Sequence, residues 1–153
     1  MKKMICFDMD GTIADLYGVS NWKEQLRKEN PTPYIEARPI FAPARLNLVI
    51  ERLMAQGWEI RIITWLSKDS SSQYKKAVTQ AKKEWLRKYH FPYHKAHFVQ
   101  YGTTKADCIR KVKPDFALLI DDSEKVRNGW HLGATLDPTY TDMIKILEDL
   151  AGC

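Results

Sequence analysis

Two uninterrupted apolar runs constrain the fold of this chain more than any other feature of its sequence. They span residues 4–7 ("MICF") and Phe116–Ile120 ("FALLI"). Runs of this kind are typical of strands in a parallel sheet with helices on both faces, because neither face of such a strand meets water. Residues 59–64 predict a third strand, residues 96–100 a weaker fourth and residues 134–136 a short fifth.

Helical patterns lie between the predicted strands. Pro43 suits the first turn of a helix and Gly57 suits its end, and apolar residues recur between them at helical spacing. A second apolar stripe of the same period runs along residues 74–89. Further helices are expected at three places: near Thr104, after Ser123 and from Thr141. This alternation predicts an α/β protein with a Rossmann-like, three-layer α/β/α fold and a mostly parallel central sheet.

The length of the chain favours one domain over residues 1–153. A chain of 153 residues can build one compact core but not two comfortable ones. Residues 15–42 are irregular and rich in proline and aromatic residues, with room for one short helix at residues 22–28. Because connections of this length are uncommon unless they have a function, we predict a functional insert at residues 15–42.

The termini and the cysteines favour a cytoplasmic protein. No apolar run is long enough to cross a membrane, and the run after Lys2 and Lys3 is too short for a signal peptide. Cys6, Cys108 and Cys153 are odd in number and match no metal-ligand spacing. We predict free and mostly inert thiols, which fit a reducing compartment, and no membrane partner.

The charge of the chain is concentrated in one stretch. The formal net charge is +5, and basic residues far outnumber acidic ones between residues 68 and 90. A solvated helix face is the favoured interpretation. A surface that attracts phosphorylated or nucleic-acid substrates is the alternative, which charge alone does not separate from the first.

Acidic residues follow two of the predicted strands directly. Asp8 and Asp10 come after the first apolar run, and Asp121 and Asp122 come after the run that ends at residue 120. The strand between them in the chain ends in Thr64. Ligands of open α/β sheets bind beyond the carboxyl ends of the strands. We therefore expect four carboxylates and a hydroxyl to meet at one edge of the sheet.

Such a cluster needs something to offset its charge. Two like charges about 4 Å apart repel by roughly 4 kcal/mol at an effective dielectric constant near 20. A protonated carboxylate, a lysine or a divalent cation can offset this repulsion. Carboxylate oxygens suit Mg²⁺, and no His/Cys grouping indicates zinc. In the pair Asp8 and Asp10, one carboxylate can be the ionised nucleophile while the other carries a proton.

Four segments together resemble the motifs of the haloacid dehalogenase superfamily, in the family's order. "DMDGT" at residues 8–12 resembles the first motif, and the apolar strand that ends at Thr64 resembles the second. Lys105 in "YGTTKAD" resembles the third, and "LLIDDS" resembles the fourth. Lys105 is favoured because it lies at a predicted helix start after a strand; the competing lysines are Lys95, Lys111 and Lys113.

The resemblance implies a phosphatase that acts through an aspartyl-phosphate. Asp8 would be the nucleophile, and Asp10 would protonate the leaving oxygen and then activate water. An acid at position 10 resembles the phosphatase members of the superfamily. The resemblance also implies that Mg²⁺ is held by the Asp8 carboxylate, the Asp10 main-chain carbonyl and Asp121, with Asp122 close by or acting through water.

The same resemblance assigns the phosphate ligands. Thr64 and the amide of Trp65 would hold phosphate oxygens, and Lys105 would neutralise the phosphate and Asp8. A loose phosphoryl-transfer transition state needs this kind of in-line positioning and positive clamp.

Two branches of the superfamily bear on the substrate. "LLIDDSEKV" followed by "GATLDPT" is similar to the deoxyribonucleotidase-like branch, which implies a nucleotide or another small phosphorylated metabolite. Only residues 15–42 are available for the cap of that branch, so the cap must be minimal or absent. The long basic segment at residues 68–90 is similar to the phosphatase domain of bacteriophage polynucleotide kinase, and so the alternative is a polynucleotide 3′-phosphatase-like enzyme.

A signalling module is the alternative of another class. Receiver domains also combine an acidic cluster, Mg²⁺ and a lysine on a parallel sheet. In receivers the accepting aspartate follows the acidic pair, whereas here the DxD sequence comes first. A phosphatase is therefore favoured over a receiver-like phospho-acceptor.

Overall fold

A central parallel sheet organises the protein. The computed structural model describes residues 1–152, so Cys153 lies outside the described residues. The five strands of the sheet are, in chain order, β1 (Lys3–Phe7), β2 (Trp58–Trp65), β3 (Lys95–Val99), β4 (Phe116–Ile120) and β5 (Gly133–Leu136). They pair in parallel in the spatial order β3-β2-β1-β4-β5. The predicted α/β fold with a Rossmann-like parallel sheet is confirmed.

Helices cover both faces of the sheet. The α-helices are α1 (Trp22–Arg27), α2 (Thr32–Glu36), α3 (Pro43–Ala55), α4 (Ser72–Lys88), α5 (Glu124–Asn128) and α6 (Met143–Ala151). Ile5 and Phe7 of β1 belong to a core formed with α3, α6 and part of α4. Met4 and Cys6 point to the opposite face, where they pack with Ile109 and other residues of the connection that follows β3. The period-two alternation of β1 therefore supplies both cores.

The predicted helix near Thr104 is a pair of short 3-10 helices instead of an α-helix. They span Lys105–Cys108 and Arg110–Val112. Ala106, Ile109 and Val112 pack against the sheet and recur every third residue. Three residues per turn is the period of a 3-10 helix, so this spacing keeps all three side chains on one side.

The last helix begins one residue later than predicted. Asp142, not Thr141, is the N-cap of α6, and its carboxylate accepts a hydrogen bond from the Lys145 N–H at 3.2 Å. The Thr141 hydroxyl instead donates to the Asp137 carbonyl at 2.7 Å. A carboxylate at this position also interacts favourably with the helix dipole.

Residues 15–42 pack against α4. The Trp85 indole donates to the Ala37 carbonyl at 2.7 Å. The Glu29 carboxylate accepts hydrogen bonds from both the N–H and the hydroxyl of Ser71, the residue that caps α4. These contacts hold the segment next to the carboxyl edge of the sheet.

The two cysteines that the structure describes are free thiols. Cys6 is buried in the sheet, where burial raises the pKa of its thiol to about 12, and Cys108 is half-buried. A thiol with such a pKa stays protonated at neutral pH and reacts slowly. Within residues 1–152, no helix has the length and apolar character that a membrane span requires.

Candidate active site

The carboxyl ends of β1 and β4 bring Asp8 and Asp121 together. The Asp8 N–H donates to the Ile120 carbonyl at 3.0 Å, so the two strands stay paired up to the point where the acids begin. The Asp121 N–H donates to the Leu136 carbonyl of β5 at 3.1 Å. Both aspartates are therefore fixed by the backbone of the sheet itself.

The chain turns sharply after Asp8, so β1 does not continue through Asp10. The N–H groups of Thr12, Ile13 and Ala14 all donate to the Met9 carbonyl at 2.9–3.0 Å. Gly11 sits in this turn with φ of 79°, and a Cβ atom there would collide with the Asp122 carboxylate. Glycine meets both the conformational and the steric demand of this turn.

Three carboxylates form a group that can hold a metal ion. Asp8, Asp121 and Asp122 each offer an oxygen, and these oxygens lie within 4.8 Å of one another. The Asp10 carboxylate is not part of this group. The buried Thr12 hydroxyl lies 2.9 Å from Asp8 Oδ2 and 3.3 Å from Asp122 Oδ1, which adds a residue that the sequence reasoning did not assign.

Lys105 lies between two of these carboxylates. Its Nζ donates to Asp8 Oδ1 at 2.9 Å and to Asp121 Oδ2 at 2.7 Å. Burial by itself would lower the pKa of Lys105, but the two carboxylates raise it above its ordinary value, so the side chain stays charged. The competing lysines are all exposed and outside this cluster: Lys95, Lys111 and Lys113.

One lysine does not offset the charge of three acids. Burial, and next the nearby Asp8 charge, raise the pKa of Asp121 to about 6 and that of Asp122 to about 7. Each raised pKa means that the ionised form is costly in this environment. A hard divalent cation with oxygen ligands, such as Mg²⁺, fits both the donor set and the unbalanced charge.

Thr64 and Trp65 end β2 beside this cluster. The Thr64 side chain is fully buried, and its Oγ1 accepts a hydrogen bond from Lys82 at 2.6 Å. The Trp65 indole donates to the Thr103 carbonyl at 2.8 Å, and its ring centroid lies 4.9 Å from that of Tyr101. Thr64 and Trp65, the two predicted phosphate ligands of β2, therefore lie at the carboxyl edge of the sheet.

Lys82 is a second residue that sequence reasoning missed. The favoured interpretation of residues 68–90 as a solvated face is wrong at this position, because the Lys82 side chain is only 1% exposed. Its Nζ donates to Asp10 Oδ2 at 3.0 Å. A signal existed in the sequence: Lys82 follows the buried Val78 by four residues, which places it on the buried stripe of α4.

Asp10 lies in a setting distinct from the other acids. Burial raises the pKa of its carboxyl above the ordinary value, and the Lys82 ammonium acts in the opposite direction. The seven predicted site residues thus fall into two adjoining groups. Asp8, Lys105, Asp121 and Asp122 form one, while Asp10, Thr64 and the Trp65 carbonyl meet at Lys82.

The acids lie in a cleft of about 380 Å³ whose walls combine aromatic and aliphatic side chains. Residues 15–42 supply one wall, and the segments after β2, β3 and β4 supply the rest. The aromatic lining consists of Tyr17, Trp22, Tyr34, Trp65 and Tyr101. The cleft thus joins a charged floor to walls that suit a flat or apolar group.

Comparison with known proteins gives a relative in fold. No protein-family model matches the chain, and no curated protein sequence matches it. The solved structure of D,D-heptose 1,7-bisphosphate phosphatase from Burkholderia thailandensis is similar, with a TM-score of 0.52 and 18% sequence identity. The similarity covers 87% of this chain and 75% of that one. At this identity it shows a shared α/β fold.

Proposed function

We propose that this protein is a Mg²⁺-dependent phosphomonoester hydrolase of the haloacid dehalogenase superfamily. The observation that carries the proposal is the position of Lys105 Nζ, within 2.9 Å of Asp8 and 2.7 Å of Asp121 at the carboxyl edge of the sheet. The four motif-like segments supply these residues in the order of the superfamily. The name of the structural relative, a phosphatase, adds support.

Asp8 and Asp10 divide the chemistry between them. In the first step an Asp8 carboxylate oxygen bonds to phosphorus while the bond from phosphorus to the leaving oxygen breaks, and Asp10 gives that oxygen a proton. In the second step a water oxygen bonds to phosphorus, Asp10 takes the proton of the water, and the bond to Asp8 breaks. The products are an alcohol, inorganic phosphate, the Asp8 carboxylate and Asp10 in its protonated form.

The remaining site residues neutralise and orient the phosphoryl group. Asp8, Asp121, Asp122 and the Asp10 main-chain carbonyl would hold Mg²⁺, which when bound offsets the charge of the acids and of the phosphate. Lys105 places a second positive charge beside Asp8. Hydrogen-bond donors of this kind act mainly by stabilising the charge on the equatorial oxygens of the phosphoryl group in the transition state.

The walls of the cleft favour a nucleotide or another small phosphorylated metabolite. Tyr17 and Trp22 lie in edge-to-face contact, with ring centroids 5.0 Å apart, and can contact an aromatic base. Residues 15–42 would serve as a minimal cap. Lys68 lies at the rim of the cleft, with its Nζ 5.7 Å from the Tyr101 ring centroid. Its positive charge can attract a phosphate backbone, so a nucleic-acid 3′-end is the second candidate substrate.

A substrate screen tests the proposed activity. Nucleoside monophosphates, sugar phosphates and 3′-phosphorylated oligonucleotides are incubated with Mg²⁺ or with EDTA, and released phosphate is measured. We expect Mg²⁺-dependent turnover with nucleoside monophosphates as the best class. Turnover that persists in EDTA would contradict the metal requirement, and faster release from oligonucleotides would favour the second candidate.

Mg²⁺ is expected to stabilise the folded protein. At a concentration of a hundred times Kd, a ligand that binds only the folded state adds about 2.7 kcal/mol to the free energy of unfolding. Thermal unfolding with and without Mg²⁺ measures this effect. The Asp121→Asn variant should lose most of the shift in Tm, whereas Asp69→Asn, on an exposed turn, should keep it. An equal shift in both variants would refute the metal site.

A further inference from the structure

Lys82 is a buried cation to which the mechanism above gives no role. It projects from α4 towards the ends of β1 and β2, and its ammonium donates three hydrogen bonds. The acceptors are Asp10 Oδ2 at 3.0 Å, Thr64 Oγ1 at 2.6 Å and the Trp65 carbonyl at 2.8 Å. The three N–H donors of the side chain are therefore all used.

These bonds fix the direction of two functional groups. An ammonium group only donates, so Thr64 Oγ1 must accept from Lys82 and its own hydrogen stays free for another partner. Asp10 Oδ2 is likewise occupied, so exchange of a proton with a substrate falls to the other oxygen of Asp10. The Tyr34 ring covers a further side of the ammonium, with its centroid 5.2 Å from Nζ.

Packing alone does not account for a lysine at this position. The neighbouring buried positions of α4 are apolar or aromatic, among them Val78, Ala81 and Trp85. Burial of an ammonium is costly, and replacement of a buried ion pair with apolar side chains is often neutral for stability. What the ammonium adds is a fixed geometry between Asp10 and the end of β2.

We propose that Lys82 is a positioning residue that orients the Asp10 carboxylate for proton transfer during phosphoryl transfer. This role rests on the proposed function. Lys82 itself gives up no proton: the proton passes from Asp10 to the leaving oxygen in the first step and returns to Asp10 from water in the second. Its contribution is to hold the Asp10 carboxylate in place while the bonds at phosphorus change.

The test compares leaving groups in the Lys82→Met variant. p-Nitrophenolate leaves without a proton, whereas the alkoxide of a nucleoside monophosphate needs one. In single turnovers, we expect release of the nucleoside to slow by about thirtyfold, and release of p-nitrophenol by less than about threefold. In an Asp10→Asn background, Lys82→Met should slow nucleoside release by less than about threefold further, because the group that it positions is gone.

Matched variants separate this role from a structural one. Lys76→Met, at an exposed position of the same helix, should release both alcohols at the wild-type rate. If Lys82→Met does not fold, Lys82→Gln replaces it. The glutamine keeps two amide donors but loses the charge and one donor, so release of the nucleoside should slow by a smaller factor, and still by more than release of p-nitrophenol. Equal slowing for both leaving groups, or an equal loss with and without Asp10, would overturn the positioning role. A wild type without Mg²⁺-dependent turnover would instead refute the proposed function, and this role with it.

Discussion

Replacement of Asp8 with asparagine is expected to reduce phosphatase activity by at least about ten-thousandfold, the scale on which loss of a nucleophile acts. The fold should survive, because the asparagine side-chain oxygen can still accept the hydrogen bond that Lys105 donates. Removal of one charge from three crowded carboxylates also relieves repulsion. Steady-state hydrolysis and thermal unfolding of the same preparation measure both effects.

An exposed aspartate provides the control for this variant. Asp69 lies in a turn with φ of 52°, a conformation that asparagine tolerates well, so Asp69→Asn should retain full activity. Wild-type rates in Asp8→Asn would rule out Asp8 as the nucleophile. Loss of activity together with loss of the cooperative thermal transition would show a folding defect rather than a chemical one.

Replacement of Lys105 with methionine is expected to reduce both activity and stability. Removal of one electrostatic donor from an active site slows turnover by about a hundred- to a thousandfold. Asp8 and Asp121 would be left buried without a counter-charge, which costs about 3 kcal/mol for a broken buried pair. In the absence of Mg²⁺ we expect a decrease in Tm of about 10 °C for a domain of this size.

Mg²⁺ and an exposed lysine provide the controls for the second variant. Added Mg²⁺ should restore part of the lost stability, since it supplies positive charge to the same carboxylates, but should not restore activity. Lys111→Met, at an exposed position a few residues away, should change neither property. A Lys105→Met protein with wild-type Tm and wild-type kcat would show that the Lys105 contacts have no role.

The sheet was predictable because its signals are local. The two central runs, residues 4–7 and Phe116–Ile120, are apolar throughout, and the second coincides with β4. The acids that follow β1 and β4 meet because parallel strands end at the same edge. The choice among the candidate lysines of the third motif required the structure. Only the folded chain shows that Lys105, and not Lys111, contacts Asp8 and Asp121.

The role of Lys82 was hidden because it depends on contacts between distant segments. A lysine in a basic helix is usually solvated, and sequence alone does not show that Asp10 and Thr64 lie under this turn of α4. The cleft above the acids escaped prediction for the same reason, because its walls come from separate parts of the chain. The 3-10 helices escaped because apolar residues three apart also fit an α-helix.

Chemical trapping of a phosphorylated intermediate is the sharpest test of Asp8 as the nucleophile. In the Asp10→Asn variant, p-nitrophenyl phosphate should still phosphorylate Asp8, since its leaving group needs no proton, while hydrolysis of the intermediate stalls without a base. After an acid quench, borohydride reduction followed by peptide mass spectrometry locates the modified aspartate. We expect Mg²⁺-dependent modification of Asp8 in the peptide that contains "DMDGT". Rapid release of p-nitrophenol with no modified aspartate, or with modification at Asp121, would contradict this expectation.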